Sequence, residues 1–255
     1  MTANSLTIYP LLLEAEVLPG DDLAALLIPV LQAYKPLKQS DVLVVAQKIV
    51  SKSEGRFVDL NEVTPGKLAS ELAATTGKDP RLVEVILSES TEVVRAVKGV
   101  LIVRHRSGLV MANAGIDRSN VPQEQGVERV LLLPVDADQS AANIRMTIER
   151  LCGVKVGVII SDSFGRPWRM GVTNVAIGSA GIAALLDQRG DLDRQGRNLL
   201  VTQIANGDAL AAAAGLVMGE GAQGIPAALI RGWRSQGMNL SAQRLIRPVE
   251  DDLFR

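Results

Sequence analysis

Three carboxylates stand in glycine-bearing loops at the ends of apolar runs. Asp117 lies in Gly115-Ile-Asp-Arg-Ser-Asn-Val121, Asp162 in Ile160-Ser-Asp-Ser-Phe-Gly-Arg-Pro-Trp-Arg169, and Glu220 in Met218-Gly-Glu-Gly-Ala-Gln-Gly224. Together the three carboxylates suit one or two hard cations. Lys52, Arg166 and Arg169 suit phosphate. The chain has one histidine and one cysteine, so a His- or Cys-rich zinc site is excluded by count. Any metal must be held by oxygen, which points to magnesium or manganese. Each residue alone reads as ordinary surface. Asp162 alone reads equally well as a residue bonding its own turn. The joint placement at element ends is what favours a site.

The other chemistry-bearing residues point away from covalent catalysis. A Ser-His-Asp triad would have to use His105, which sits between Arg104 and Arg106 after the run Val100-Leu-Ile-Val103. A solvated or structural histidine at a strand end is the better reading. Cys152, at the apolar end of a helix, reads as a structural thiol. The run Gly219 to Gly224 fits G-x-G-x-x-G, but a helix precedes it and a strand follows. The dinucleotide motif needs the reverse order, so the Rossmann reading fails. No G-x-x-x-x-G-K-S/T is present, so the chain is not a P-loop protein. What survives is a glycine-rich loop whose N–H groups can approach phosphates, with Glu220 in reach of a metal those phosphates share. Gly219 also suits a helix C-cap, which leaves three glycines around one glutamate unexplained.

The elements that must position these groups alternate irregularly, so a mixed α+β architecture is expected rather than a clean doubly wound sheet. Gly20-Asp21-Asp22 turns into a helix over Leu23 to Tyr34. Asp41 to Val50 reads as one strand, ending in a polar loop from Ser51 to Gly55; Lys48 and Lys52 lie along this stretch. Thr64-Pro65 caps a helix ending at Gly77, and Asp79-Pro80 starts another with Leu82, Val83, Ile86 and Leu87 as its stripe. Val100–His105 and Leu109–Ala112 form a hairpin through Ser107-Gly108, and Arg129–Leu133 is a strand. Asp138 to Leu151 is a helix with Ala141, Ile144, Ile148 and Leu151 apolar. A buried strand starts at Val156 and ends at Ser161-Asp162-Ser163, before a turn forced by Gly165 and Pro167. Val172–Ser179 is a strand, Gly181–Leu186 a helix and Leu199–Ala205 a strand. Asp208 caps a helix over Ala209 to Met218, and Ile225–Arg231 is the last strand.

With 255 residues, 47% apolar and 22% charged, the chain reads as one globular domain with a sizeable core. A net charge of −1 and only 3% aromatics give no footprint for nucleic acid or a polybasic membrane contact. No apolar run approaches the ~20 residues of a membrane span, and the N-terminus lacks a signal-peptide pattern, so a cytoplasmic protein is expected.

The quoted segments, with Gly20-Asp-Asp-Leu23 and Val50-Ser-Lys-Ser-Glu-Gly55, resemble those of the glutamate ligase family that finishes the deazaflavin coenzyme F-420. The likeness runs from about Leu11 to Phe254, with motifs in the family's order and spacing. It implies the family's own γ-glutamyl ligase fold of two intertwined parts within residues 1–255, and a homodimer whose groove holds GTP. It implies a GTP-dependent ligase that joins L-glutamate to the lactyl carboxylate of the deazaflavin precursor, then adds further γ-linked glutamates. Asp117 and Asp162 would hold one divalent cation, and Ser163 and Glu220 a second. A monovalent cation is a further expectation of the resemblance. GTP contacts would come from Lys52, Asn120 and the loop Met218, Gly219, Glu220, Gly221, Ala222, Gln223, Gly224 and Ile225. Gln47 belongs with them, standing where the family often has Ser or Thr. Ser163 replaces a common Thr and keeps the hydroxyl, and Asn206-Gly207-Asp208 replaces a usual Ala-Asp-Glu. The segment from about Glu14 to Val17 should also touch the nucleotide. Arg166 or Arg169 would hold the precursor's phosphodiester. The chain ends at Arg255, so the flavin-binding domain fused to some relatives is not expected. The rivals are a metal-dependent phosphatase or nucleotide hydrolase, and a non-catalytic nucleotide-binding module.

Overall fold

The run Val42-Leu-Val-Val is apolar at every position, which suits a strand covered on both faces. All four residues are buried. The computed structural model describes residues 5–119 and 126–252. In chain order its elements are β1 (Thr7–Leu11), α1 (Leu23–Tyr34), β2 (Val42–Ala46), α2 (Gln47–Ser53), β3 (Phe57–Asp59), α3 (Lys67–Thr76), α4 (Pro80–Ser88), β4 (Ser90–Val97) and β5 (Val100–His105). There follow β6 (Val110–Ala112), β7 (Arg129–Leu131), α5 (Ala137–Cys152), β8 (Gly157–Arg166), β9 (Arg169–Ala180), β10 (Leu185–Asp187), β11 (Gln203–Ala205), α6 (Asn206–Met218) and β12 (Ala227–Arg231).

The main sheet has the order β1-β12-β2-β8-β9. Only β2 and β8 run parallel; the other pairs are antiparallel. Successive side chains on a strand point to opposite faces. Leu43, Val45, Val158, Ile160 and Leu229 therefore meet α1 and α5, while Val42, Val44, Ile159, Ala228 and Ile230 meet α6. A third core is built from residues between Val58 and Leu132, including α3, α4 and the β4-β5-β6 sheet. That lobe is a contiguous insertion between α2 and α5, closed at its base by the β3–β7 pair. The architecture is mixed α+β, as expected. Among the described residues no helix is long and apolar enough to cross a membrane.

Several elements differ from the sequence reading. The strand expected over Asp41–Val50 stops at Ala46, and Gln47–Ser53 is helical. Helical spacing explains this: Ile49 and Val50 join the core, while Lys48 and Lys52 share the other face. The strand expected to end at Ser161-Asp162-Ser163 runs on to Arg166 and turns through Trp168, whose φ is 62°. Its pairing shifts between Ile160↔Gly178 and Ser161↔Ala176, leaving Ile177 as an extra residue that re-aims the strand. The helix expected over Gly181–Leu186 is absent; Ile182, Ala183 and Ala184 are buried in irregular chain before β10. Asp208 is no N-cap: it lies in the first turn of α6 and accepts a hydrogen bond from Ala176 N at 2.9 Å. The helix expected to start at Pro65 begins at Lys67. Leu151 is exposed. His105 is buried and structural, with Nδ1 2.8 Å from Ser107 Oγ. Cys152 is half-buried against the α1–α5 core.

Candidate active site

The parallel pair β2–β8 fixes where the site must lie. Its last matched residues are Ala46 and Ser161, so α2 starts beside the point where Asp162 and Ser163 part from β2 while still paired with β9. The carboxyl ends of parallel strands are where such sheets place ligands. The first turn of α2 carries Gln47 and Lys48, and Lys52 follows on the same face as Lys48. Gln47 is buried and accepts a hydrogen bond from Ser51 Oγ at 2.8 Å, a contact that ties the first turn to the second.

Asp117 comes from the inserted lobe. It exchanges two backbone hydrogen bonds with Leu131, both 2.9 Å long. The turn before it needs a glycine. Gly115 has φ +68°, and a Cβ there would stand 2.7 Å from Met111 Cε and 2.9 Å from Leu133 Cδ2. The Lys48 ammonium lies 2.8 Å from Asp117 Oδ2 and donates to Ser119 Oγ at 3.0 Å. Ser119 Oγ in turn donates to Asp117 Oδ1 at 2.8 Å. Lys52 reaches Glu16 at 3.4 Å.

Glu220 is carried on the loop that ends α6. Gly219 closes the helix with φ +71°, and a Cβ there would meet the Gln223 side-chain amide at 2.6 Å. Gly221 N donates to Gln223 Oε1 at 2.8 Å, so Gln223 braces the loop from within. These elements enclose a pocket of about 430 Å³. Lining it are Gln47, Lys48, Lys52, Asp117, Ser161, Asp162, Ser163, Met218, Gly219, Glu220, Gly221, Ala222, Gly224 and Ile225. Leu13, Ala15, Glu16 and Val17 form its outer wall. Of the residues expected from sequence, Gln223 supports the loop without lining the pocket. Arg166 stands in the neighbouring cavity, Arg169 is exposed outside both, and Asn120 lies outside the described residues. Lys48, Ser119 and Ser161 were not singled out in the sequence. The α2 helix period, with Lys48 one turn before Lys52, is the signal that finds the first.

Burial pushes the Asp162 carboxyl up to about 7. The charges of Asp117 and Glu220 push the same way, while the Ser163 N–H and Lys48 oppose them. The Lys48 ammonium beside Asp117 offsets part of this negative charge. Among the described residues no three acidic, histidine or cysteine side chains gather closely enough to hold a metal by themselves. The donor set nevertheless fits a hard cation that brings further oxygens with it. Mutually repelling carboxylates face one pocket, and the buried Ser161 Oγ in its wall has no hydrogen-bond partner. Magnesium is commonly held this way, by one or two carboxylates plus substrate phosphates.

Comparison with known proteins gives one consistent answer. A family model described as F420-0:Gamma-glutamyl ligase matches residues 14–232. The chain is similar to a protein of Methanopyrus kandleri called Coenzyme F420:L-glutamate ligase, 45% identical over 255 residues and 98% of each chain. A protein of the same name from Methanocaldococcus jannaschii is 45% identical over 223 residues, 88% of each chain. Another, from Haloarcula marismortui, is 43% identical over 246 residues, covering 94% of this chain and 92% of the relative.

Proposed function

The chain belongs to the F420-0:gamma-glutamyl ligase family, and on that premise we propose that it joins L-glutamate to the deazaflavin precursor of the coenzyme at the expense of GTP. Further γ-linked glutamates are added in the same way. One observation carries the reading. A single pocket gathers Asp117, Asp162 and Glu220 with Lys48, Lys52 and the glycine-rich loop after α6. That is a phosphate-handling set with no cysteine or histidine in it, and amide formation from a free carboxylate needs just such activation.

The precursor's carboxylate oxygen attacks the γ-phosphorus of GTP, and the bond from that phosphorus to the bridging oxygen breaks to release GDP. The glutamate nitrogen then attacks the acyl carbon, loses its proton to water, and expels inorganic phosphate. The amides of the Gly219 to Gly224 loop and the Lys52 ammonium stabilise the charge shed on GDP. Lys48, held in the pocket by Asp117 and Ser119, is placed to neutralise the entering carboxylate. Asp117, Asp162, Ser163 and Glu220 would hold one or two divalent cations, magnesium or manganese. Such ions neutralise phosphate charge and align the in-line displacement. A homodimer belongs to the same proposal. It is supported by the hairpin tip between β8 and β9, where Trp168 and Met170 are 88% and 97% exposed. Sedimentation of an active monomer would reject that part.

The chemistry is tested with precursor carrying oxygen-18 in its carboxylate. One label must appear in the released inorganic phosphate. Unlabelled phosphate beside normal amide product would rule the route out, and GMP with pyrophosphate would indicate an acyl-nucleotide instead. Phosphate release that needs neither glutamate nor precursor would favour a hydrolase.

A further inference from the structure

Two further cavities adjoin the acid pocket, and the three share walls. The nearer, of about 570 Å³, shares Asp117, Asp162 and Ser163 with the acid pocket and has Arg166 in its side. The farther, of about 680 Å³, shares Ile102, Val110, Phe164 and Pro167 with the nearer one. The order along the surface is therefore acids, then a cation, then an apolar chamber.

The chamber is built where the β5–β6 hairpin of the inserted lobe faces the β8–β9 hairpin of the main sheet. Leu245 and Ile246, near the C-terminus, form its third side. Its volume lies in the range of ~300–1,000 Å³ typical of small-molecule sites. Charged side chains stand among the apolar ones: Glu92, Arg95, Arg104, Asp208, Arg247 and Asp252. Asp208 Oδ1 accepts from Ala176 N, while Oδ2 has no partner among the described residues. Arg104 is engaged by Glu92 at 3.2 Å and Asp252 at 3.9 Å. Arg95 and Arg247 line the chamber and make no ion pair among the described residues. Apolar walls, with the Asp208 carboxylate and the Arg95 and Arg247 cations among them, suit a flat heteroaromatic ring on an anionic stem.

We infer that this chamber seats the ring end of the acid acceptor, with an anionic stem passing Arg166 and the reacting carboxylate beside Lys48. The assignment rests on the ligase reading. It explains why the acid pocket opens sideways into apolar space that neither a nucleotide on the Gly219 to Gly224 loop nor a free amino acid requires. Asp208 sets ring orientation by accepting a hydrogen bond from a ring N–H or O–H.

The test uses 5-deazariboflavin, which carries the ring without a reacting carboxylate. Its binding to the full chain is followed by ring fluorescence. Val110→Trp fills the shared wall, and Ile246→Trp serves as a second variant if circular dichroism shows the first to be unfolded. Either should weaken deazariboflavin by at least about tenfold while GTP affinity stays unchanged. With the full acceptor, KM should rise while kcat changes little. A ring-less lactyl phosphodiester should be turned over equally by the parent and by Ile246→Trp, because Ile246 lines the chamber and not the stem cavity. Unchanged ring binding and unchanged acceptor KM in a folded variant would overturn the assignment. Amide formation with ring binding indifferent to both variants would sink the chamber and leave the ligase reading standing. Ring binding lost in the variants, with no amide formed by the parent protein on any acceptor, would do the opposite.

Discussion

Lys48 Nζ and Asp117 Oδ2, 2.8 Å apart, join the first turn of α2 to the inserted lobe across the mouth of the acid pocket. Both side chains are roughly a quarter exposed, so the pair adds only ~0–1 kcal/mol to stability. Its value lies in chemistry. Lys48→Met should therefore leave the melting temperature close to that of the parent protein while lowering amide formation by about a hundredfold or more. Activity near the parent level would show that Lys48 only balances charge.

Asp162 gives a pH signature. Its carboxyl rises from an ordinary 3.8 to about 7 on folding, chiefly by burial. Between about pH 4 and pH 7 the folded chain holds a proton that the unfolded chain has shed, so stability falls as pH rises through that window. The loss reaches at most roughly 4 kcal/mol. Asp162→Asn should flatten the slope and make the metal-free protein more stable at pH 8, while abolishing activity. Denaturation midpoints measured across the window decide it, and an unchanged slope would refute the assignment.

Glu220 is exposed on its loop and makes no ion pair among the described residues. Glu220→Gln keeps the shape and removes the charge, so stability should stay within ~0.5 kcal/mol. Activity should collapse. Chelation of the parent protein should do the same, with magnesium or manganese restoring turnover. Equal losses of melting temperature and activity in the variant would mark Glu220 as structural.

Gly115→Ala tests how Asp117 is placed. The left-handed φ and the close approach of Met111 and Leu133 both oppose a Cβ. A cost of about 1–3 kcal/mol is expected, with activity falling further than stability because Asp117 is displaced. Thermal denaturation alongside initial rates separates the two effects.

The sequence made the acids legible because each breaks an apolar run beside glycine, a pattern that survives without knowing the partners. Helices with side-chain caps were legible too: α1 and α4 begin just after Asp22 and Asp79, whose carboxylates accept from the first-turn amides. Other elements were hidden by tertiary context. Nothing local distinguishes Ala46 from Gln47 as the end of β2; the stop is set by pairing with Ser161, over a hundred residues away. The strand β4 escaped because its register with β5 shifts twice, which scrambles the alternation that a strand should show. Lys48 was masked by the same misread strand, since a strand would point it and Lys52 along one row without aiming either at Asp117.

The inserted lobe has a kinetic meaning. Val42 and Gly157, the first pair of the parallel register, are separated by about 115 residues, and closing such a loop costs roughly 4 kcal/mol of chain entropy. When the lobe folds first, Phe57 meets Leu131 and the remaining connection shrinks to roughly forty residues, easing closure by about 1 kcal/mol. Chain entropy thus favours late assembly of the edge that carries Asp162, after the lobe holding Asp117. A half-folded chain has no complete acid pocket, so the proposed reaction would have nowhere to start until both lobe and sheet are formed.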